Sequence, residues 1–302
     1  MAGDRLRVDV QGRAVELSNL DKVLYPAAGF TKGEVIDYYT RIAPVLLPHL
    51  ADRALTRIRY PDGVDGGSFF EKNRPAATPD WVRVATLPVP GSGKGRETID
   101  YVVADDLPTL VWLANLAALE LHTPQWRIGT HPDLMVVDLD PGAPAALRQC
   151  CQVALLLRDR LAVDGVEAHP KTSGKKGMQL SCPVAGTQSA EVVSGYAKRI
   201  AQELEQRHPR LVVSKMAKNL RPGKVFIDWS QNSAAKTTVA PYSLRAAPTP
   251  TVSAPLTWEE VEAGAAGERP ATTPYGPTEV LDRVETYGDL MSDGGVRPAL
   301  PE

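Results

Sequence analysis

Leu134-Met135-Val136-Val137-Asp138-Leu139-Asp140-Pro141-Gly142 is a short apolar run that ends in two carboxylates and a turn dipeptide. Its length and its Pro-Gly stop read as a buried strand rather than a helix. Side chains alternate along a strand, so Asp138 and Asp140 project from one face, roughly 6 to 7 Å apart along the backbone. Two like charges at the end of an apolar run are costly unless a cation neutralises them, and hard divalent ions with carboxylate ligands fit best. The bland alternative is that the pair only caps the turn at Pro141-Gly142. A third carboxylate, Asp228, lies in a second apolar run, Val225-Phe226-Ile227-Asp228-Trp229. If the two runs are neighbouring strands, three carboxylates can hold two metal ions, one activating an attacking oxygen and the other stabilising a leaving one.

Working outward from this pair, the chain alternates strand and helix signals, which predicts a mixed α+β fold. Residues 6–17 alternate around Gln11-Gly12 as a hairpin, and a loop is expected from Asn19 to Gly29. Thr31-Lys32-Gly33-Glu34 has capping-box spacing and leads into Val35, Tyr38, Tyr39, Ile42, Val45 and Leu46 at helical period. Strands are expected over 54–60 and 97–103, and a buried helix from Pro108 through Leu119, with His122 just past its end. Beyond the acidic strand come a helix over 145–161 and strands over 166–169 and 178–183. A helix carrying Val192, Tyr196, Ile200 and Leu204 follows, then strands over 211–214 and 224–229. The Pro- and Thr-rich stretch 246–255 reads as an extended connector before two short terminal helices, and 246–302 is taken as a tail on a single domain of two intimate subdomains.

Basic and hydroxyl groups gather around the acidic signals. Thr172-Ser173-Gly174-Lys175-Lys176-Gly177 is a turn suited to cradling a triphosphate through backbone amides and charge, unless it is simply a solvated turn. Lys215, Lys218, Arg221 and Lys224 recur every three residues and lead into Asp228, a stripe for a nucleic-acid backbone or a solvated face. Gln231, Lys236 and Arg245 extend this segment. Phe69-Phe70 follows a Gly-rich loop and can stack on bases with Lys72 beside the backbone, or bury at least one ring. His122 can donate to a phosphate or be a satisfied core histidine. Lys32 at a helix start, with Asn19 and Lys22 before it, makes an anion site.

Composition narrows the classes. The 302 residues are 43% apolar and 23% charged, and no run approaches the ~18 apolar residues of a membrane span. The first residues lack the apolar core of a secretory signal, so the cytoplasm is expected, with no membrane partner. Net charge is −2, so nucleic-acid binding has to come from local patches. Cys150, Cys151 and Cys182 lack metal-ligand spacing and suit buried thiols.

Asn19-x-x-Lys22, Gly67-x-Phe69-Phe70-Glu71-Lys72, Pro124-Gln125-Trp126, Asp138-Leu139-Asp140-Pro141-Gly142, Thr172-Ser173-Gly174, Val225 to Asn232 and Ala240 to Arg245 together resemble the bacterial polymerase domain of DNA ligase D, in the archaeo-eukaryotic primase superfamily. The match runs from about residue 16 to 264. The resemblance implies an RNA-recognition-like catalytic half packed on a second αβ layer. It implies that Asp138, Asp140 and Asp228 bind two Mn²⁺ or Mg²⁺ ions, and that His122, Ser173, Lys176 and Arg245 hold the incoming NTP or dNTP. Arg59, Phe69, Phe70 and Gln231 would border nucleotide and template, while Asn19, Lys22 and Lys32 grip a downstream DNA 5′-phosphate. It further implies gap filling or end joining, a ribonucleotide preference, and partnership with a DNA ligase and the Ku end-binding protein. Two positions depart from the pattern: Gln179 replaces the usual histidine, and Ile58 stands where a basic residue can occur beside Arg59. The motif Lys-x-Asp-Gly of a ligase nucleophile is absent; the nearest stretch reads Ala162-Val163-Asp164-Gly165. Two other classes share part of the pattern, a metal-dependent nucleotide-sugar transferase and a DNA-end bridging module without turnover.

Overall fold

A computed structural model describes residues 5–88, 97–268, 274–292, 294–295 and 297–301. The expected hairpin is β1 (Arg5–Val10) paired with β2 (Arg13–Ser18). The predicted loop after it contains a short strand, β3 (Val23–Tyr25), which pairs with β4 (Phe30–Thr31). Helix α1 (Lys32–Leu50) starts where the capping box places it: the Thr31 hydroxyl accepts from the Glu34 amide at 3.2 Å, and the Glu34 carboxylate accepts from the Thr31 amide at 2.7 Å. Its apolar positions Val35, Tyr38, Tyr39, Ile42 and Leu46 are buried.

Strand β5 (Thr56–Arg59) is followed by β6 (Phe69–Glu71), so the two phenylalanines expected on a loop belong to a strand. Next come β7 (Val84–Pro88) and β8 (Thr98–Val102), which pair as a ribbon, and helix α2 (Leu107–Asn115). The apolar run beginning at Pro108 does not continue as helix to Leu119. Ala117 adopts a left-handed φ of 56° and turns the chain into β9 (Ala118–Thr123). An apolar run buried on all sides carries no period with which to tell a helix from a central strand.

Two sheets frame the interior. The larger has the order β11-β12-β10-β14-β13, built from β10 (Leu134–Pro141), β11 (His169–Thr172), β12 (Met178–Pro183), β13 (Val212–Val213) and β14 (Val225–Asp228). The strand expected over 166–169 thus begins three residues later. On β10, Met135, Val137 and Leu139 are fully buried beneath α3 (Leu147–Val163) and α4 (Ala190–Arg207), whereas Asp138 and Asp140 leave from the other face. The smaller sheet, β15-β9-β5-β6, includes β15 (Thr238–Val239). Cys150, Cys151 and Cys182 are buried and free.

The stretch read as a connector is integral instead. β16 (Leu244–Arg245) pairs with β17 (Thr251–Val252), and Val252, Ser253 and Ala254 are fully buried. The Thr172 amide donates to Ala254 O at 2.8 Å, and the Ala254 amide donates to the Thr172 hydroxyl at 3.2 Å. α5 (Trp258–Ala266) then packs on α3, and α6 (Pro277–Tyr287) reaches α1. No helix among the described residues is long and apolar enough to cross a membrane.

Replacing Thr31 by Ala removes the side-chain acceptor at the start of α1. The expected loss is about 1 kcal/mol of stability, read as a lower urea midpoint with an unchanged slope.

Candidate active site

The sheet register decides which groups meet. Asp138 lies directly opposite Asp228 across β10 and β14, and opposite Gln179 across β10 and β12; Gln179 in turn lies opposite Lys171 on β11. Asp140, two residues along, is diagonal to Asp228 on the same face. The carboxylates repel one another, Asp138 and Asp228 from half-buried positions and Asp140 from an exposed one. Burial first, then Asp140 and Asp228, push the Asp138 carboxyl up to about 7, against a hydrogen bond from Gln179. Burial and Asp228 likewise raise Asp140, which Arg221 opposes from 3.9 Å. Asp228 is held by its own turn, accepting from the Ser230 amide at 3.0 Å and from Gln231 Nε2 at 2.9 Å. Lys236 reaches the same turn through the Ser230 hydroxyl.

Among the described residues no three His, Cys, Asp or Glu side chains close around one point. The acidic face is therefore an open arc. Its donor set is carboxylate oxygen throughout, and the burial and mutual repulsion that raise the Asp138 carboxyl are what a divalent cation would offset, so the residues present fit Mg²⁺ or Mn²⁺ in kind.

Across a cleft of about 370 Å³ stand the cationic groups, and His122, Ser173, Lys175, Lys176, Gln231 and Arg245 share its wall with Asp138 and Asp140. The turn before β12 is shaped by close backbone approach. A Cβ on Gly177 would sit 2.3 Å from Leu139 O, and one on Gly174 (φ +72°) would sit 2.5 Å from the Arg245 side chain and 2.8 Å from Val252 O. The Ser173 hydroxyl accepts from the Gly177 amide at 3.1 Å and the Lys175 amide at 3.3 Å, which leaves its own proton free to donate into the cleft.

A residue with no assigned role in the sequence organises these cations. Glu120, 1% exposed on β9, accepts from His122 Nε2 at 3.0 Å and from the Ala246 amide at 3.0 Å, and pairs with Lys175 Nζ at 3.1 Å and Arg245 Nε at 3.4 Å. Burial opposes its ionisation, but the His122 hydrogen bond and the charges of Arg245 and Lys175 prevail and hold it at about 2. Burial, then Arg245 and Lys171, lower the His122 pKa, against its hydrogen bond to Glu120 and that carboxylate's charge. His122 sits mid-strand, two residues from Glu120 and on the same face, not past a helix end.

Other expected site residues fall elsewhere. Arg59 points to the opposite face of the small sheet. There it donates to Glu71 Oε1 at 2.9 Å and to Leu116 O at 2.8 Å, beside the buried Arg57, which also pairs with Glu71. Its charge is felt at Lys32: burial first, then Lys22 and Arg59, lower that ammonium to about 8. Lys22, Lys32 and Arg59 thus form a second basic cluster at the start of α1. In it Lys32 Nζ donates to Ser18 O at 2.5 Å, Lys22 pairs with Asp62 at 2.9 Å, and Asn19 takes a left-handed φ of 52° in the adjoining turn. Phe69 and Phe70 are 53% and 60% exposed, which excludes the core-packing reading for both rings. Ile58 lies between Phe70 and Glu120 in the cross-strand row. Of the basic stripe, Arg221 reaches the acidic arc and stacks 3.8 Å over the Phe226 ring, Lys215 and Lys218 are exposed, and Lys224 is half-buried.

Paired acidic strands thus face a cationic, hydroxyl-bearing turn across a cleft, an arrangement suited to nucleotidyl transfer. Residues 31–291 match the family described as LigD, primase-polymerase domain. The chain belongs to that family. It is 45% identical over 282 residues to the multifunctional non-homologous end joining protein LigD of Mycolicibacterium smegmatis, covering 92% of this chain and 36% of that protein. It is 33% identical over 278 residues to the bifunctional non-homologous end joining protein LigD of Bacillus subtilis, covering 91% and 43%. The chain therefore spans well under half the length of these curated relatives. The solved polymerase domain from Mycobacterium tuberculosis ligase D in complex with DNA superposes with a TM-score of 0.85 at 44% identity, covering 92% of this chain and 96% of that one. The fold is accordingly the primase-type α+β fold of a DNA-directed nucleotidyltransferase.

Glu120→Gln tests the carboxylate hub. The folded pKa, about 2, lies below the ordinary 4.5, so ionised Glu120 contributes stability that is complete above about pH 4.5 and lost as pH falls through 2. The variant should lose about 3 kcal/mol near neutrality and show a shallower acid decline than wild type in urea unfolding. Parallel pH profiles for the two proteins would remove Glu120 from that role.

Proposed function

We propose that this chain is one primase–polymerase unit of two subdomains that extends primer 3′ ends at gaps or breaks in DNA carrying a downstream 5′-phosphate. The observation that carries the reading is the register that sets Asp138 opposite Asp228, with Asp140 beside them, facing the Ser173 turn. Asp138, Asp140 and Asp228 would hold two divalent ions, Mn²⁺ or Mg²⁺, which when bound supply charge neutralisation for the attacking and leaving oxygens. The chain's own residues do the rest. Ser173 donates its hydroxyl to the triphosphate, His122 in its imidazolium form donates its second N–H to a phosphate oxygen while Nε2 stays on Glu120, and Lys176 and Arg245 offset the charge with Lys175. Gln231 fixes the Asp228 carboxylate.

The second cluster, Asn19, Lys22 and Lys32 with Arg59 added, takes the 5′-phosphate. Phe69 and Phe70 give a splayed template base a surface to stack on, and Lys72, Lys215, Lys218, Arg221 and Lys224 hold nucleic-acid backbone without reading sequence. Ribonucleotides as preferred substrates, action beside a DNA ligase and the Ku end-binding protein, and a place at the bacterial nucleoid in the cytoplasm belong to the same proposal. It rests on similarity to proteins named for non-homologous end joining.

Extension of a labelled primer across a gap with a 5′-phosphate, with Mn²⁺ and either ribo- or deoxynucleotides, is the test. Wild type should extend and Asp138→Ala should fall at least about a hundredfold, the rate equivalent of several kcal/mol of lost charge stabilisation. DNA binding without extension by wild type would leave an end-bridging module, and indifference to DNA would leave a transferase of another kind.

The phosphate cluster makes a separate prediction. Lys32 loses its charge in the free protein as pH rises through about 8. Binding preference for a 5′-phosphate over a 5′-hydroxyl should therefore be full below that pH and weaken above it, in fluorescence anisotropy with gapped duplexes. A Lys32→Met variant should show a weak preference that does not change with pH.

A further inference from the structure

Four strands of the large sheet place Lys171, Gln179, Asp138 and Asp228 in one cross-strand row. Lys171 is the member with no assigned part. It is 3% exposed; burial first, then Arg245, lower its ammonium to about 7, against Asp138. In its charged form all three protons are used: Nζ donates to Gln179 Oε1 at 2.6 Å, to Ser253 Oγ at 2.7 Å and to Val239 O at 3.0 Å. The protonated lysine head has donors only, so the atom of Gln179 that faces it is then the carbonyl oxygen. The other end of the same amide, the NH₂, is thereby left to face the carboxylate of Asp138, the residue directly opposite Gln179 across β10 and β12. Gln179 is 6% exposed, and no other donor to its side-chain oxygen is present among the described residues.

We propose that Lys171 is a positioning residue that locks the Gln179 amide in its donating orientation and so fixes the carboxylate of Asp138 for divalent-cation binding. Without the ammonium, either end of the amide can face Asp138. The flipped state sets a carbonyl oxygen against a carboxylate and leaves Asp138 free to turn from the acidic arc. Outer partners of metal ligands act in this way, and their loss typically weakens metal affinity about 10- to 100-fold. Lys171 also ties the large sheet to β15 and to the buried residue Ser253, so a purely structural tether is the competing account.

The inference rests on the proposed role of Asp138, and the experiment separates the two. Mn²⁺ binding is measured by the electron paramagnetic resonance signal of the free ion, with no nucleotide or DNA, in wild type, Asp138→Ala, Lys171→Met, Lys171→Gln, Gln179→Met, the double variant Lys171→Met/Gln179→Met, and Ser253→Ala, with thermal melts alongside. Lys171→Met and Gln179→Met are each expected to weaken Mn²⁺ binding about tenfold, and the double variant no more than either, because both break one relay. Ser253→Ala, which cuts the tether but spares the relay, should stay within about twofold of wild type. Lys171→Gln keeps a polar head that no longer dictates which end of Gln179 it meets, and is expected to weaken binding too; it serves where Lys171→Met does not fold. Wild-type affinity in the Lys171 variants, additive losses in the double variant, or an equal loss in Ser253→Ala would each overturn the lock. Wild-type affinity in Asp138→Ala would instead overturn the acidic arc itself.

Discussion

The molecule is organised around like-charge repulsion that the sheet register enforces. Because β10 is central and antiparallel to both neighbours, Asp138 cannot avoid Asp228 opposite or Asp140 beside it. The opposite face of β10 is sealed by α3 and α4, so the carboxylates have one direction in which to go. What surrounds them reads as compensation: the Ser230 and Gln231 turn on Asp228, Arg221 near Asp140, and the Gln179 amide opposite Asp138. A strand pair placed one residue out of step would send Asp228 into the helices and dissolve the arrangement.

The small sheet solves the inverse problem. It must present several cations to one cleft without letting them drive each other apart, and it does so with one buried anion. Glu120 binds His122, Lys175 and Arg245 at once, from three separate segments. Charge that would otherwise be mobile on long side chains is preorganised, so less ordering is left to be done when a polyanion arrives. The other side of this sheet carries the Glu71 pairing with Arg57 and Arg59, so two basic sites face away from each other across one layer.

The acidic strand, the third carboxylate and the capped helix were legible because each has a local signature: an apolar run broken by Asp-x-Asp, a second such run, and Thr-x-x-Glu at the head of a periodic segment. Glu120 and Lys171 were not. Glu120 directly follows the run Pro108 to Leu119, which reads as helix until the left-handed Ala117 is seen to break it, and only in a strand does Glu120 share a face with His122. Lys171 precedes the phosphate turn and reads as one more basic residue there. Its significance is a matter of register and burial, neither of which spacing reveals. Arg59 shows the same limit, since neighbours in sequence at Ile58 and Arg59 face opposite sides of the sheet.

The way in which late residues complete an early site has a consequence for biogenesis. Thr172 is hydrogen-bonded to Ala254, Lys171 to Val239 and Ser253, and the backbone of Gly174 accepts from the Thr251 hydroxyl at 2.6 Å. The phosphate turn is thus shaped by chain synthesised some eighty residues after it. While a ribosome is still translating, the strands through β14 can be complete in sequence, yet the turn at Ser173 lacks the backbone and hydroxyl partners that shape it until the segment around 251–254 has cleared the exit tunnel.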